Sequence, residues 1–528
     1  MAAAKKKRQA STSSTDQRAV ESIAFVSLGC PKNLVDSEKM LGLLAEDGIA
    51  ITPDHEEADA IVINTCGFLE ASKTESIGVI REAVALKEQA AKEGRHKRVV
   101  VAGCLVQRHR AQLLSEVPGI DSLVGVFDRE NIVRAVRGSK SGEAFSGVAE
   151  TGRDLGAFHA VTQFIGKPTR ADIGKGYTES DRARLRLTPR HFAYLRISEG
   201  CNQGCTFCTI PSIRGRMRSK PLADILSEAE ELIADGAYEL NLIGQDTTSY
   251  GEDIGFDAPG EGLSGMLRAL DKVRGVGWVR LMYAYPSCFT DDMIKTLADC
   301  RHVVKYIDMP LQHINDTVLQ AMRRKVTRKQ TETLLEKLRK WVPGITLRTT
   351  LISGFPGETE AQHAELLKFV QQFEFDCLGV FEYSPEPGTP AGRLWQTAQV
   401  DEKTVARRKE EIMLAQQEIV LRKNEALIGR TLRVLVDEVN TKKRTAVGRH
   451  MGQAPDIDGR VLLRKMPADA VSGEVVEACV EDFNYYDLIA EAHGPVAAAQ
   501  KPAVHGKRLS LPVVGVVSTS VETHGKRG

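Results

Sequence analysis

The sequence predicts an α/β protein in three parts: an open parallel-sheet N-terminal domain, a partial (βα)6 barrel, and a small C-terminal antiparallel β-barrel. Three observations lead there. Apolar runs of strand length alternate with helix-length stretches between residues 22 and 104, and again between 192 and 383, as in parallel sheets joined by crossover helices. After residue 429 short apolar runs follow one another across turn residues, which suits a small closed sheet. At 528 residues the chain is too long for one core, so several units are expected.

Residues 1–20 begin with a lysine-rich run and continue polar and aperiodic, as a disordered tail does. This start lacks the apolar run of a signal peptide, and no apolar run reaches the roughly 18 residues of a membrane span. The expected compartment is the cytoplasm, where thiols stay reduced and cysteines serve metals more than disulfides. A net charge of +1 gives no general drive toward nucleic acid or membranes.

The N-terminal domain is expected over 21–140. Strands at 23–30, 58–66 and 98–104 are separated by a helix at 33–46 and a long helix ending near Glu93. Open parallel sheets bind ligands beyond the carboxyl ends of their strands. Cys30, Cys66 and Cys104 stand at those ends, so they are predicted to converge on one rim. Residues 141–190 are rich in Gly, Ser and Arg and read as a linker. Its arginines 182, 184, 186 and 190 are solvated charge or, alternatively, a docking surface.

The barrel is expected over 191–423, with strands at 193–198, 238–244, 278–285, 304–309, 346–353 and 375–383. Helices fall at 221–235, 291–300, 328–341 and 360–373, with a long charged amphipathic helix at 401–428. The C-terminal barrel is expected over 424–493, with strands opening near Thr431, Thr445, Gly459 and Gly473, and a disordered tail over 494–528.

Six of the ten cysteines carry the chemistry. Cys201, Cys205 and Cys208 are spaced C-x3-C-x2-C just after the first barrel strand, on the rim where β/α barrels carry their sites. Gly200 and Gly204 permit the tight loop that such a wrap needs. Three thiolates satisfy three irons of a cubane cluster and leave the fourth open. Zinc would want a fourth cysteine or histidine nearby, and the sequence offers none. Further rim candidates are Gly244 and Gln245 after the second strand, Gln312 and His313 after the fourth, and Arg348 on the fifth; satisfied polar residues at the rim are the competing reading. Cys288, Cys300, Cys377 and Cys479 read as small buried hydrophobes.

The cysteine spacing, with Phe207 before the last cysteine, resembles the radical S-adenosylmethionine superfamily. The resemblance implies that the open iron is chelated by the methionine moiety of S-adenosylmethionine. An electron from the cluster then releases a 5′-deoxyadenosyl radical, while the protein positions the cofactor. The order of domains resembles the methylthiotransferase family over roughly residues 22–490. That family's N-terminal cluster, implied here on Cys30, Cys66 and Cys104, is auxiliary and handles the sulfur that is methylated and inserted.

Within the family several stretches are similar to the branch that modifies a ribosomal-protein aspartate. They are residues 27–38, 210–215, 244–250, 306–313 and 383–390. The transfer-RNA branch usually has Gln-Met where this chain has Pro31-Lys32, and Asn where it has Asp246. One departure is extra length near residues 90–98, read as a longer surface helix. The C-terminal barrel resembles a TRAM domain. From 424 to 493 it holds nine Lys or Arg against twelve Asp or Glu, a balance of −3 that is opposite in sign to phosphate binding.

The resemblance therefore implies methylthiolation of the β-carbon of an aspartate in small-subunit ribosomal protein twelve. It implies two 4Fe-4S clusters, S-adenosylmethionine, a flavodoxin- or ferredoxin-type reductant and a sulfur donor. Membranes have no part, and nucleic acid enters only in the alternative, the same chemistry on a transfer-RNA adenosine. A non-catalytic iron–sulfur scaffold is the reading from another class.

Overall fold

The computed structural model describes residues 20–109, 111–138, 180–256 and 260–497. The tail expected over 1–20, the linker as far as 179 and the chain beyond 497 lie outside the described residues, Val20 excepted.

The N-terminal domain is an open parallel sheet of β1 (Ser22–Ser27), β2 (Ala50–Ile51), β3 (Ala60–Thr65), β4 (Arg98–Gly103) and β5 (Ser122–Val124), in the order β2-β1-β3-β4-β5. Its helices are α1 (Pro31–Glu46), α2 (Glu70–Lys92), α3 (Cys104–His109), α4 (Ala111–Glu116) and α5 (Ile132–Arg137). The strands are apolar on both faces because both are covered: Ala24, Val26 and Ile63 pack toward α2, Ile23, Phe25 and Val62 toward α1 and α5. Pro31 opens α1, where its missing N–H costs nothing.

The second unit begins with β6 (Phe192–Arg196), a two-residue strand β7 (Ser198–Glu199), α6 (Ile210–Arg214) and β8 (Arg218–Ser219), which pairs with β7. It continues through α7 (Leu222–Ala234), β9 (Glu239–Ile243), α8 (Gly262–Leu270), β10 (Trp278–Leu281), α9 (Asp291–Asp299), β11 (Val303–Asp308) and α10 (Asp316–Ala321). α11 (Arg328–Trp341), β12 (Thr346–Ser353), α12 (Glu360–Phe373), β13 (Cys377–Glu382), α13 (Pro390–Trp395) and α14 (Glu402–Glu425) complete it. The six main strands run parallel in sequential order β6-β9-β10-β11-β12-β13, the open barrel that the sequence predicts. Capping boxes at Thr327–Gln330 and Thr359–Gln362 start α11 and α12 by satisfying first-turn N–H groups.

The outer face of this sheet packs on its helices through Leu195, Leu240, Leu242, Val279 and Leu347. The inner face packs on the other two domains: Leu34 and Val35 of α1 meet it, and so do Leu435, Ala454 and Val475 of the C-terminal barrel. That barrel is closed in the order β14 (Thr431–Asn440), β15 (Thr445–His450), β16 (Val461–Arg464), β18 (Asp487–Ala497) and β17 (Val475–Asn484). Its pairings are antiparallel except β16 with β18, which is parallel, and β18 runs past the expected boundary at 493.

Two of the linker arginines, Arg184 and Arg186, are buried and are neither free charge nor docking surface, whereas Arg182 is 56% exposed and remains solvated. Arg184 donates to Tyr194 O at 2.6 Å and pairs with Glu38 at 3.5 Å. Arg186 pairs with Asp235 at 2.9 Å and donates to three backbone carbonyls, and Arg182 pairs with Glu231 at 3.1 Å. The segment is strapped across α1, β6 and α7. Among the described residues no helix is long and apolar enough to cross a membrane.

Candidate functional site

β1, β3 and β4 lie side by side in register, so their carboxyl ends share one rim. Cys66 follows β3 directly, Cys104 opens α3 at the end of β4, and Cys30 precedes α1. Two glycines allow the approach. A Cβ on Gly29 would stand 2.8 Å from Cys66 Cβ, and one on Gly67 would stand 2.7 Å from the Leu105 backbone. The three sites influence one another: burial, with the neighbouring Cys30 adding to it, pushes the Cys66 thiol up, and the same causes, against the pull of Arg214, push Cys104 up to about 11. Cys30 is exposed, while Cys66 and Cys104 are buried.

The barrel triad lies on the loop after β6 and β7. Gly200 and Gly204 both adopt positive φ, +81° and +70°, as expected of a loop that must turn sharply. Cys201 N–H donates to Gly215 O at 3.2 Å, and Thr206 N–H to Met322 O at 3.1 Å. The sulfurs accept in turn. Gln203 N–H donates to Cys201 Sγ at 3.5 Å and Ile210 N–H to Cys208 Sγ at 3.4 Å. Arg324 reaches Cys205 Sγ at 3.6 Å and stacks 4.0 Å over the Tyr285 ring. Burial pushes Cys201 up to about 11 and Cys208 up to about 12.

A buried charge network joins the two rims. Lys32, two residues after Cys30, donates to Gln245 Oε1 at 2.6 Å and Ser198 O at 2.7 Å. Glu199 lies 3.5 Å from Lys32, 2.9 Å from Arg196 and 3.2 Å from Arg214. Burial works against the Glu199 carboxylate, but Lys32, Arg214 and Arg196 hold it well below its usual range. Desolvation lowers Lys32 to about 7. Arg214 Nη2 lies 3.2 Å from Cys104 Sγ. Arg108 donates to Gly67 O at 2.9 Å, beside Cys66, and pairs with Glu386 of the barrel at 2.8 Å.

The other candidates fall in distinct places. Gly244 stands where a Cβ would meet Ser198 Oγ at 2.8 Å. Gln245 bridges Lys32 and Glu199, donating to the latter at 2.9 Å. Phe207 packs beside Met322, Phe355 and Tyr383 and so anchors the cysteine loop. Gln312 has φ +73° and bridges to β12. His313 is buried opposite Glu358, 3.5 Å away. Arg348 is engaged by Asp308 at 2.8 Å and by Asp458 of the C-terminal barrel at 3.3 Å. Sequence reasoning passed over Lys32, Arg214 and Arg324 as functional residues. The first two lie inside stretches that carried the family resemblance, which was the available signal.

Among the described residues no three His, Cys, Asp or Glu side chains close round a single metal ion. The donor chemistry fits an iron–sulfur group in each place. Each triad is all thiol, as soft cluster irons prefer. Each also has a guanidinium against one sulfur, Arg214 on Cys104 and Arg324 on Cys205, which suits thiolates carrying charge.

Comparison with known proteins agrees with this division. Residues 22–125 match the model of uncharacterized protein family UPF0004, residues 195–370 that of the radical SAM superfamily, and residues 428–492 that of the TRAM domain. The ribosomal protein uS12 methylthiotransferase RimO of Bdellovibrio bacteriovorus is 42% identical, covering 89% of this chain and 97% of that protein. Its counterpart in Trichlorobacter lovleyi is 39% identical, covering 90% and 98%. The Geobacter sulfurreducens protein of the same name is 41% identical, covering 90% and 99%.

Proposed function

Because this chain belongs to the radical S-adenosylmethionine methylthiotransferase family, alongside the ribosomal protein uS12 methylthiotransferases, we propose that it methylthiolates an aspartate β-carbon of uS12. The observation that carries the reading is about 40% identity to those enzymes over nearly their whole length. When bound, two 4Fe-4S clusters and S-adenosylmethionine supply the electron, the hydrogen-abstracting radical and the methylthio group.

The chain's own residues hold and orient those groups. Cys201, Cys205 and Cys208 would ligate the cluster that meets S-adenosylmethionine. Backbone N–H groups of Gln203 and Ile210 and the Arg324 guanidinium face their sulfurs. Cys30, Cys66 and Cys104 would ligate the auxiliary cluster. Lys32, Gln245 and Glu199 lock the two rims together, which supports a sulfur-bearing site and a radical-forming site facing a shared space. Gly244, Gln245 and Gln312 stand at the barrel rim, where the cofactor would lie. Phe207 and Arg348 are the remaining candidates for the cofactor side of the rim, Phe207 packed into the cluster around Phe355 and Arg348 held by its two carboxylate partners. A flavodoxin- or ferredoxin-type reductant, a sulfur donor and a cytoplasmic setting complete the reading.

Mass spectrometry of uS12 and of transfer-RNA nucleosides, from cells with and without the gene, tests it. Loss of the methylthio mass from the uS12 peptide is expected; loss from a modified adenosine instead would move the substrate to RNA. In purified protein, Ser at Cys201, Cys205 or Cys208 should abolish S-adenosylmethionine cleavage. Ser at Cys30, Cys66 or Cys104 should leave cleavage and stop sulfur insertion.

A further inference from the structure

α6 is one turn long, yet it touches both cysteine triads. At its start Ile210 N–H donates to Cys208 Sγ at 3.4 Å. At its end Arg214 places Nη2 3.2 Å from Cys104 Sγ, a sulfur of the other domain. The guanidinium is 2% exposed. Its orientation is set by Asp36 at 3.0 Å, Glu199 at 3.2 Å and Asn33 Oδ1 at 3.4 Å. A buried cation costs several kcal/mol of desolvation unless it meets compensating charge. Here two carboxylates and one thiol share it. Nothing in the ligand reading of three thiols by itself asks for an arginine from another domain at this spot.

We propose that Arg214 is a positioning residue for the auxiliary cluster: it donates to the Cys104 sulfur, fixes that ligand's orientation and stabilises the reduced form of the cluster. This rests on the reading of Cys30, Cys66 and Cys104 as ligands. A hydrogen bond from a cation to a ligating thiolate draws charge off sulfur and favours the added electron, one of the levers by which proteins set cluster potentials. Arg214 makes no contact with the sulfurs of Cys201, Cys205 or Cys208 among the bonds described; Arg324 serves there. The effect is therefore confined to one cluster.

The test uses reconstituted full-length protein in two backgrounds. Ala at Cys201, Cys205 and Cys208 isolates the auxiliary cluster; Ala at Cys30, Cys66 and Cys104 isolates the other. Each background carries Arg214→Lys, or Arg214→Gln paired with Glu199→Gln, which removes one buried charge of each sign and so protects folding. Iron content and electron-paramagnetic redox titration are read. In the first background the paired variant should leave about tenfold less cluster reduced at a given ambient potential, a downward shift of about 59 mV for a one-electron couple. Arg214→Lys, keeping charge but losing the fork, should fall between. In the second background Arg214→Lys, which leaves the Glu199 carboxylate two residues before Cys201 in place, should not change the potential. Selective iron loss in the first background also supports the positioning role. Unchanged potential with full iron in both, or equal loss from both, overturns it. A first-background parent that binds no iron overturns the ligand assignment itself.

Discussion

Replacing Gly200 by alanine tests whether the cysteine loop is held by backbone geometry. At φ +81° an L side chain costs about 1–2 kcal/mol. The added Cβ would also lie 2.1 Å from Arg216 O, 2.5 Å from its carbonyl carbon and 2.7 Å from Gly215 O. These are backbone atoms, so no rotamer relieves them, and the strands must part by about 1 Å to reach van der Waals contact. The bond from Cys201 N–H to Gly215 O is 3.2 Å. Lengthened by that much it ceases to be one, a further loss of about 1 kcal/mol. Some 2–3 kcal/mol thus falls on the segment that carries Cys201. Gly204 is the control: its φ is +70°, but a Cβ there meets nothing within 4 Å, so Gly204→Ala carries only the backbone cost. Iron content and 5′-deoxyadenosine release of the two variants decide the matter. Gly200→Ala should keep about half the parent's iron, from the intact N-terminal site, and lose cleavage at least tenfold. Gly204→Ala should stay near the parent. If the two behave alike, the steric argument is wrong.

Arg108→Ala strands the Glu386 carboxylate, which is 2% exposed, and should cost about 3 kcal/mol, seen as faster hydrogen exchange in the loops after Cys66 and around Glu386. Glu386→Gln, which keeps a neutral partner, should cost less; equal exchange in variant and parent would remove Arg108 from the domain contact. Burial holds His450 down at about 4, so the folded chain keeps it neutral while the unfolded chain takes up a proton below about 6.5. Its contribution is present above that pH and is lost as pH falls toward 4, by at most about 3 kcal/mol. His450→Gln should therefore flatten the drop in urea midpoint between pH ~7 and ~4.5; an unchanged drop would mean the ring is not protected.

The strand-end cysteines were readable because their positions follow from local pattern: an apolar run, then a glycine or a helix start. The six barrel strands and helices α11 and α12 were readable for the same reason, since their apolar period is contiguous in sequence. β2, β7 and β8, at two residues each, are too short to show a period. β18 hid because its alternation is broken by bulges against β17. Two linker arginines were misread for a different reason. Charge in an aperiodic stretch looks solvated, and only the fold brings Glu38 and Asp235 to Arg184 and Arg186. Arg348 likewise meets Asp458 across more than a hundred residues of chain. Periodicity finds where a chain turns and what it ends on; the partners of buried charges are decided by which domains meet.

The C-terminal barrel is more than an appendage to the catalytic unit. Arg449 answers Glu239 at 2.6 Å, Asp458 takes the Tyr306 hydroxyl at 2.8 Å, and Met451 O receives Arg280 at 2.8 Å. It is the floor of the larger barrel. A truncated chain would open that floor and strand ionised groups in its shaft, so loss of activity on deletion would say nothing about recognition.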